Sequence, residues 1–123
     1  MRPENEPSGQ RSFIEEARRR QIIAAAAEVL ADEGYGRATL ARIARQAGIS
    51  KGVISYHFDG KDDLMRQVVV HLFVAGAEFM GPRLAEQQTA TDLLRTYIAT
   101  NLEYIESERR FLGAMVEVVL NLR

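Results

Sequence analysis

Cysteine is absent from the 123 residues of this chain, and histidine occurs only twice. The lack of cysteine excludes disulfides, cysteine-ligated zinc and iron–sulfur centres, and it is compatible with a reducing compartment. Two histidines give a metal site little support. The sequence also contains no glycine-rich phosphate loop and no nucleophile elbow. We therefore predict a protein that is not an enzyme and that binds neither a metal nor a cofactor.

Long apolar runs are missing as well. The most apolar window, residues 68–77, contains His71 and is about half as long as the stretch of roughly 20 residues that crosses a membrane. The first 11 residues are polar and lack the apolar segment of a signal peptide. We predict a flexible tail over residues 1–11, a buried helix over residues 68–77, and a cytoplasmic protein with no membrane partner.

Apolar residues recur at helical spacing through the rest of the chain, without the alternation that is typical of strands. They make up 46 % of the sequence, which is enough for a packed core. We predict an all-α fold. A three-helix helix-turn-helix head over residues 12–60 is expected to join, through a long fourth helix, an incomplete helical bundle over residues 61–123.

Capping residues and helix breakers predict the boundaries of the first three helices. Ser12 and Glu15 have the spacing of a capping box, which predicts a first helix over residues 12–33. Thr39 and Ser50 are the predicted caps of two short helices, and Gly48 breaks the chain between them. Two short helices joined by a short turn that contains glycine are the signature of a helix-turn-helix.

The second half of the chain is divided by glycine, proline and polar residues. Gly81-Pro82 is expected to end or kink the fourth helix, Thr91 to cap the fifth, and the sixth to begin near Phe111. The stripes expected to face the core are Leu64, Val68, Leu72, Ala75 and Phe79; Leu94, Ile98, Leu102 and Ile105; and Met115, Val116, Val119 and Leu122. Because the sixth helix is still apolar at Arg123, it needs a partner surface, either another subunit or the remainder of a longer protein, and we favour the second.

Charge is nearly balanced overall, at −1, but it is unevenly distributed. Residues 36–61 contain five basic residues and one acidic residue, a net charge of +4, whereas residues 67–123 carry a net charge of −2. A local cationic surface on a nearly neutral protein is what phosphate binding requires. The alternative for this segment is an ordinary solvated basic face.

The third helix has an inner and an outer face. Ile54 and Phe58 lie four residues apart and can face the core, which leaves Lys51, Gly52 and Ser55 outward. A glycine within a helix costs about 1 kcal/mol relative to alanine. Close approach of the backbone to another molecule is a good reason to keep Gly52 there.

The stretch from Thr39 to Leu64 resembles the DNA-binding region of the TetR family of bacterial transcriptional regulators. The matching features are Ile43-Ala44, Ala47-Gly48-Ile49-Ser50, Lys51-Gly52, Tyr56-His57-Phe58, and Lys61 before Asp62-Asp63-Leu64. The resemblance implies a DNA-binding head followed by a larger helical body, which binds an unidentified small-molecule effector and forms a homodimer. It further implies a nucleoid-associated bacterial repressor that binds a palindromic operator in double-stranded DNA.

Residue roles carried over from the family divide the head into base contacts and phosphate contacts. Lys51, Val53 and Ser55 would face base edges, and Gly52 would let the helix approach. Lys51 can donate to guanine acceptors, and Val53 can pack on a thymine methyl. The family implies phosphate contacts for Thr39, Tyr56, His57 and Lys61, and to these we add Ser50 and Arg42. For Tyr56 and His57 the alternative is closure of the core, and for Lys61 it is a salt bridge with Asp62 or Asp63.

Two positions depart from the family pattern. Residue 55 is often tyrosine in the family and is serine here, so a stacking surface is lost and the preferred bases should differ. Residue 42 is often acidic and closes a capping box with the threonine three residues earlier. Arg42 cannot accept that amide hydrogen bond and is unfavourable near a helix N-terminus, so it either contacts a phosphate or is simply solvated.

Residues of the fourth, fifth and sixth helices could line a pocket for the effector. The candidate pocket residues are His71, Phe79, Tyr97, Tyr104 and Met115, although such apolar stripes usually belong to a core.

The alternative to a DNA-binding regulator is a short helical interaction protein. Such a protein would pair with a full-length relative through its apolar C-terminal helix, and its DNA-binding head would be weak or inactive.

Overall fold

The computed structural model describes residues 8–122, which form six α-helices and no strand. The helices are α1 (Ser8–Glu33), α2 (Leu40–Ala47), α3 (Lys51–His57), α4 (Lys61–Ala85), α5 (Ala90–Ser107) and α6 (Arg109–Asn121). The predicted all-α class, with a long fourth helix, is confirmed.

Three helices begin after a hydroxyl residue that caps them. Thr39 Oγ1 accepts from Arg42 N at 3.1 Å, and Ser50 Oγ accepts from Val53 N at 3.4 Å, so both predicted caps are confirmed. At α5 the cap is Thr89, whose Oγ1 accepts from Asp92 N at 3.1 Å. The prediction of Thr91 as the cap is wrong, because Thr91 lies inside the helix.

The first helix is longer than its sequence pattern indicates. It includes residues 8–11, where the sequence predicts a tail, so Ser12 lies within the helix and the predicted capping box is wrong. The remainder of the predicted tail, residues 1–7, lies outside the described part of the chain. At the other end Gly34 adopts φ +85° and its N–H donates to Leu30 O at 3.0 Å, which ends α1 as predicted.

The fourth helix passes through Gly81-Pro82 and ends only at Ala85. Of the two predicted alternatives at this pair, the helix end is wrong and the kink stays a prediction. Pro82 lacks a backbone N–H and therefore leaves a carbonyl one turn earlier without its helical partner. That carbonyl belongs to Glu78, which is an exposed residue, and Pro82 itself lies in the last turn of α4.

One core joins α1, α2, α3 and the first half of α4. Its largest fully buried side chains include Ile22, Leu30, Ile43, Ile54, Leu64, Met65 and Val68. From α6, Ala114 and Val118 enter the same core. The core continues from α3 into α4 without a break. The division of the chain into two domains at residues 60 and 61 stays a prediction.

The core contacts predicted for the last two helices are largely wrong. Leu94, Ile98, Leu102 and Ile105 are between 46 % and 62 % exposed, and Thr100 is the residue that α5 buries. In α6, Val116 and Val119 are more than half exposed. Helical periodicity therefore located an apolar face in each helix but not the surface that covers it.

By length and composition α4 is a helix that is able to cross a membrane. Its first half instead contributes Leu64, Met65, Val68 and Leu72 to the core. The predicted burial of residues 68–77 holds for one side of the helix, because Phe73 on the other side is 65 % exposed. We therefore describe α4 as a core helix with one uncovered side.

Candidate nucleic-acid interface

The third helix presents a polar face outward. Lys51, Gly52 and Ser55 are exposed and Val53 is half-buried, whereas Ile54 is fully buried. Phe58, the residue that ends α3, is also buried, in the core that α3 shares with α1, α2 and α4. The predicted division into an inner and an outer face is confirmed. A short helix held in this way can enter a groove without exposing the core.

Tyr56 lies on the outer side as well, with 73 % of its surface exposed, so the alternative that it closes the core is wrong. Its hydroxyl is 3.4 Å from Glu15 Oε1 on α1, and its ring meets the His57 ring edge-on at 4.9 Å. His57 is half-buried. Both side chains lie at the carboxyl end of α3, beside the outward face.

Arg19 ties the carboxyl end of α3 to α1. Its Nη1 donates to His57 O at 2.7 Å, and its guanidinium lies 4.6 Å from the centroid of the Phe58 ring. A cation is favourable at this end of a helix, where carbonyl groups lack helical partners. In the same way Gln21 Nε2 donates to Ala47 O at 3.0 Å, at the end of α2. These two α1 residues hold the helix-turn-helix in place.

Lys61 occupies the start of α4 and is not paired with Asp62 or Asp63, its predicted alternative partners. Its Nζ donates to Tyr35 O at 2.7 Å and lies 4.0 Å from the centroid of the Tyr35 ring. The Tyr35 hydroxyl is 3.4 Å from Asp62 Oδ1. The pKa of Tyr35 is raised above its usual value, mainly by burial and to a lesser extent by the negative charge of Asp62. Lys61 is therefore oriented by the turn between α1 and α2.

Arg42 forms an ion pair with the end of α1. Its Nε lies 2.8 Å from Glu33 Oε2, and both side chains are about 30 % exposed. Neither sequence interpretation, a phosphate contact or a simply solvated arginine, included this carboxylate. Glu33 neutralises part of the local cationic charge, so the surface around Arg42 is less basic than the residue count indicates.

A pocket of about 390 Å³ lies between α4, α5 and α6. Three of its predicted residues, Tyr97, Tyr104 and Met115, line it. Phe79 is not part of that lining, although its ring packs 5.7 Å from the Tyr104 ring. His71 lines two other hollows, which lie between α4 and α1. The other lining residues are Leu72, Phe73, Gly76, Ala77, Met80, Asn101, Ile105 and Leu112.

The segment with this geometry coincides with a known family of regulators. Residues 22–68 match the family model of bacterial regulatory proteins of the tetR family, and this range contains α2, α3 and the start of α4. The chain belongs to the TetR family. The resemblance inferred from the motif at residues 39–64 is thereby confirmed, and the motif lies in the helix-turn-helix of the TetR head.

Curated relatives of this TetR chain are themselves described as regulators. The HTH-type transcriptional regulator BetI 1 of Chromohalobacter salexigens is 52 % identical over 56 residues, which are 42 % of this chain and 28 % of the relative. The fatty acid metabolism regulator protein of Bacillus subtilis is 31 % identical over 88 residues, which are 72 % of this chain and 45 % of the relative. The chain thus spans less than half the length of these relatives.

Solved structures extend the likeness beyond the TetR head. A TetR-family transcriptional regulator from Haemophilus influenzae superposes with a TM-score of 0.70 at 19 % identity, covering 85 % of this chain and 56 % of that one. The multidrug binding protein EbrR, solved in complex with imidazole, gives a TM-score of 0.69 at 25 % identity, covering 85 % and 55 %. These likenesses show that the fold of the family continues past residue 68.

Several residues that shape the TetR head were missed by sequence reasoning. Arg19, Gln21 and Tyr35 contact partners that are 26 to 38 residues away in the sequence, and no local pattern marks such partners. The run Arg18-Arg19-Arg20 was an available signal. Helical geometry separates its three side chains by about 100° each, so at most one of them can reach α3.

Proposed function

We propose that this chain is a sequence-specific DNA-binding transcriptional regulator, a repressor that acts in the cytoplasm at the bacterial nucleoid. The observation that carries the proposal is the outward face of α3, where Lys51, Gly52 and Ser55 are exposed above the buried Ile54. This face lies within the segment that matches the TetR family. A helix of this kind fits the major groove, where each base pair presents a distinct pattern of donors and acceptors.

The base contacts in this proposal come from the first turns of α3. Lys51 donates to guanine acceptors, Val53 packs on a thymine methyl, and Ser55 donates to or accepts from a base edge. Gly52 supports the close approach, because a Cβ at this position would meet no atom nearer than Ser50 Oγ at 3.8 Å. The space over Gly52 is therefore open to a ligand instead of being filled by the protein.

The phosphate contacts surround that helix. Thr39 and Ser50 use their hydroxyl oxygens as cap acceptors, and each O–H remains able to donate to a phosphate. Tyr56 and His57 flank the carboxyl end of α3, and Lys61 has two ammonium donors beyond the one given to Tyr35 O. Arg42 also contacts a phosphate in this proposal, and it has to do so while paired with Glu33.

A homodimer with a palindromic operator follows from the family. Recognition helices that read adjacent half-sites lie about 34–36 Å apart. Exposed apolar side chains on α5 and α6, including Leu102, Val119 and Leu120, supply surface that a second subunit can cover. Each head would release the counterions of the phosphates it neutralises, so binding should weaken as salt rises.

The effector in this proposal is a small, mostly apolar molecule without net charge. The described lining residues of the pocket between α4, α5 and α6 include no acidic or basic side chain, and Asn101 and two tyrosines are their polar members. A volume of about 390 Å³ is within the usual range for small ligands. Effector and DNA would oppose each other by linkage, typically with about 1–3 kcal/mol of coupling.

The decisive experiment selects bound DNA from a random pool while the mass of the protein in solution is measured. We expect a palindromic sequence and a doubled mass. The log–log slope of affinity against salt should be about −4 to −5 for each head with five phosphates, and about twice that for the dimer. Recovery of no preferred sequence, together with negligible affinity at low salt, would falsify the proposal.

A second candidate function is favoured by the exposed face of α6, where Leu120 is 79 % exposed. In this alternative the chain pairs with a full-length relative and disables it, and its own head does not act. The same assay distinguishes the two. The alternative predicts negligible DNA binding by this chain alone, and loss of DNA binding by a full-length TetR-family regulator when the chain is added.

A further inference from the structure

Tyr35, in the turn between α1 and α2, is held through both its backbone N–H and its backbone C=O. Its N–H donates to Glu117 Oε1 on α6 at 2.8 Å. Its carbonyl accepts from Lys61 Nζ at 2.7 Å, and its ring lies beneath the same ammonium. Glu117 lies 82 residues and Lys61 lies 26 residues from Tyr35 in the sequence. The backbone of one residue thus connects α6 to the start of α4.

The turn creates the need for this contact. Gly34 leaves the helix with φ +85°, and its N–H completes the last helical hydrogen bond with Leu30 O. The next amide, that of Tyr35, points away from α1 and needs an acceptor elsewhere. A carboxylate is a strong acceptor for a backbone N–H. Glu117 fills that role and lies 3.5 Å from the position of a Cβ built on Gly34.

The sixth helix has one face toward α1 and another toward the pocket. On the first face Arg110 pairs with Glu28 and Asp32, and Ala114 and Val118 are buried. Glu117 continues this face, seven residues after Arg110. On the second face Leu112 and Met115 line the pocket between α4, α5 and α6. The same short helix therefore borders both the pocket and the Tyr35 turn.

We propose that Glu117 is a positioning residue for DNA binding: it fixes the Tyr35 backbone through the N–H, and the carbonyl of the same residue holds the Lys61 ammonium against a DNA phosphate. The inference rests on the proposed function, because it assumes that Lys61 contacts a phosphate. Without Glu117 the Tyr35 amide loses its acceptor and the turn relaxes. Lys61 then loses the fixed carbonyl and ring that orient it, and its ammonium becomes a mobile surface charge.

The test measures DNA affinity and its salt dependence for the 123-residue chain and its variants. K61A should reduce the log–log salt slope by about one. E117A should lower affinity about two- to tenfold, the equivalent of one net hydrogen bond, and should reduce the slope in the same direction. Added to K61A, E117A should cause no further loss. E117Q should behave like the parent chain, since its amide oxygen still accepts from Tyr35 N.

Two further variants serve as controls, one for the removal of a glutamate elsewhere and one for a loss of stability in E117A. Glu106→Ala removes an exposed glutamate of α5 whose partner is Arg109, at 3.7 Å, and it should change neither affinity nor slope. Glu117→Met removes the acceptor and keeps an aliphatic stem along α1, and it should reproduce E117A if that variant proves unstable. A loss that adds fully to that of K61A, or an E117A chain with unchanged affinity and slope, overturns the inference.

A readout without DNA separates this inference from the proposed function. Amide hydrogen exchange at Tyr35 should be slow in the parent chain and in E117Q, and fast in E117A. If the parent chain binds no DNA, the proposed function fails, whereas the exchange data still report whether Glu117 holds the turn. If the parent chain binds DNA but Tyr35 exchanges equally in all variants, the Glu117 contact is not maintained and the inference alone fails.

Discussion

The head of this chain and its distal region, which comprises α5, α6 and the second half of α4, contain similar apolar residues. The two regions bury these residues to different extents. In α1, α2, α3 and the first half of α4, the apolar stripes meet one another, and Ile22, Ile43 and Ile54 are fully buried. In α5, α6 and the second half of α4, large apolar side chains such as Phe73 and Leu102 are more than 60 % exposed. Before residue 70, the exposed large apolar residues in the described part are Phe13, Ile14 and Tyr56.

This difference shows that burial depends on which side of a helix its neighbours cover and not on the apolar pattern of that helix alone. In the head, the inward sides of α1, α2, α3 and the first half of α4 share one core, which removes their stripes from water. In contrast, α5 packs against α4 and α6 along one side, and Thr100 is its buried residue. The two regions should therefore respond differently to the same substitution.

The largest effect is expected from a matched pair of isoleucines. Ile43→Ala, at a fully buried position of α2, should lower the free energy of unfolding by about 2–5 kcal/mol. Ile98→Ala, at a position of α5 that is 51 % exposed, should cost less than about 1 kcal/mol. Denaturant titration of both variants measures the difference, and equal losses would contradict the contrast between the regions.

A second pair of variants compares a residue within the head with one at its junction with α4. Lys51→Ala should cost about 1–3 kcal/mol of DNA binding and relax the base preference at one operator position. Lys61→Ala should weaken binding to all sequences alike and lower the salt slope by about one. Titrations of a cognate and a scrambled duplex at several salt concentrations separate the two roles. Indistinguishable profiles would remove the division into base and phosphate contacts.

A pair of glycines tests packing in the distal region. Gly113→Ala, in the middle of α6 with no atom within 4 Å of the added Cβ, should raise the free energy of unfolding by about 0.5–1 kcal/mol. Gly76→Ala should not bring this gain, because its Cβ would lie 3.1 Å from Cε1 of Tyr104, whose ring would have to move. Thermal unfolding compares them. A gain at Gly76 equal to that at Gly113 would mean that the Tyr104 ring is not tightly held.

The smallest effect concerns high pH. The pKa of Tyr104 is raised above its usual value of 10.0, mainly by burial and to a lesser extent by the negative charge of Glu108. The stability linked to its neutral hydroxyl, which donates to Leu72 O at 2.9 Å, is therefore fully present below about pH 10 and is lost as pH rises through the raised folded-state pKa.

Tyr104→Phe should flatten part of this fall, as measured by denaturant midpoints from pH 9 to 11. Tyr35→Phe is the matched control in the head region, since the pKa of Tyr35 is also raised, by burial and Asp62. It should leave the contribution of Tyr104 in place. A Tyr104→Phe chain that loses stability as steeply as its parent would exclude Tyr104 as a source of the pH dependence.

Much of the head was predictable because its signals are local. The caps Thr39 and Ser50, the left-handed Gly48 and the four-residue spacing of Ile54 and Phe58 all act within a few residues of one another. The outward face of α3 followed directly from these features. The roles of its residues in DNA binding came from the family motif, and they remain proposals.

By itself the sequence determined the helical class, the order of the helices and the two-sided third helix, since backbone capping and 3.6-residue periodicity are short-range effects. Tertiary structure alone decided which apolar stripes are covered, that Arg42 pairs with Glu33, and that Arg19 and Tyr35 orient α3 and Lys61. Such contacts join residues far apart in the chain. Their partners depend on how the helices pack, which no short stretch of sequence encodes.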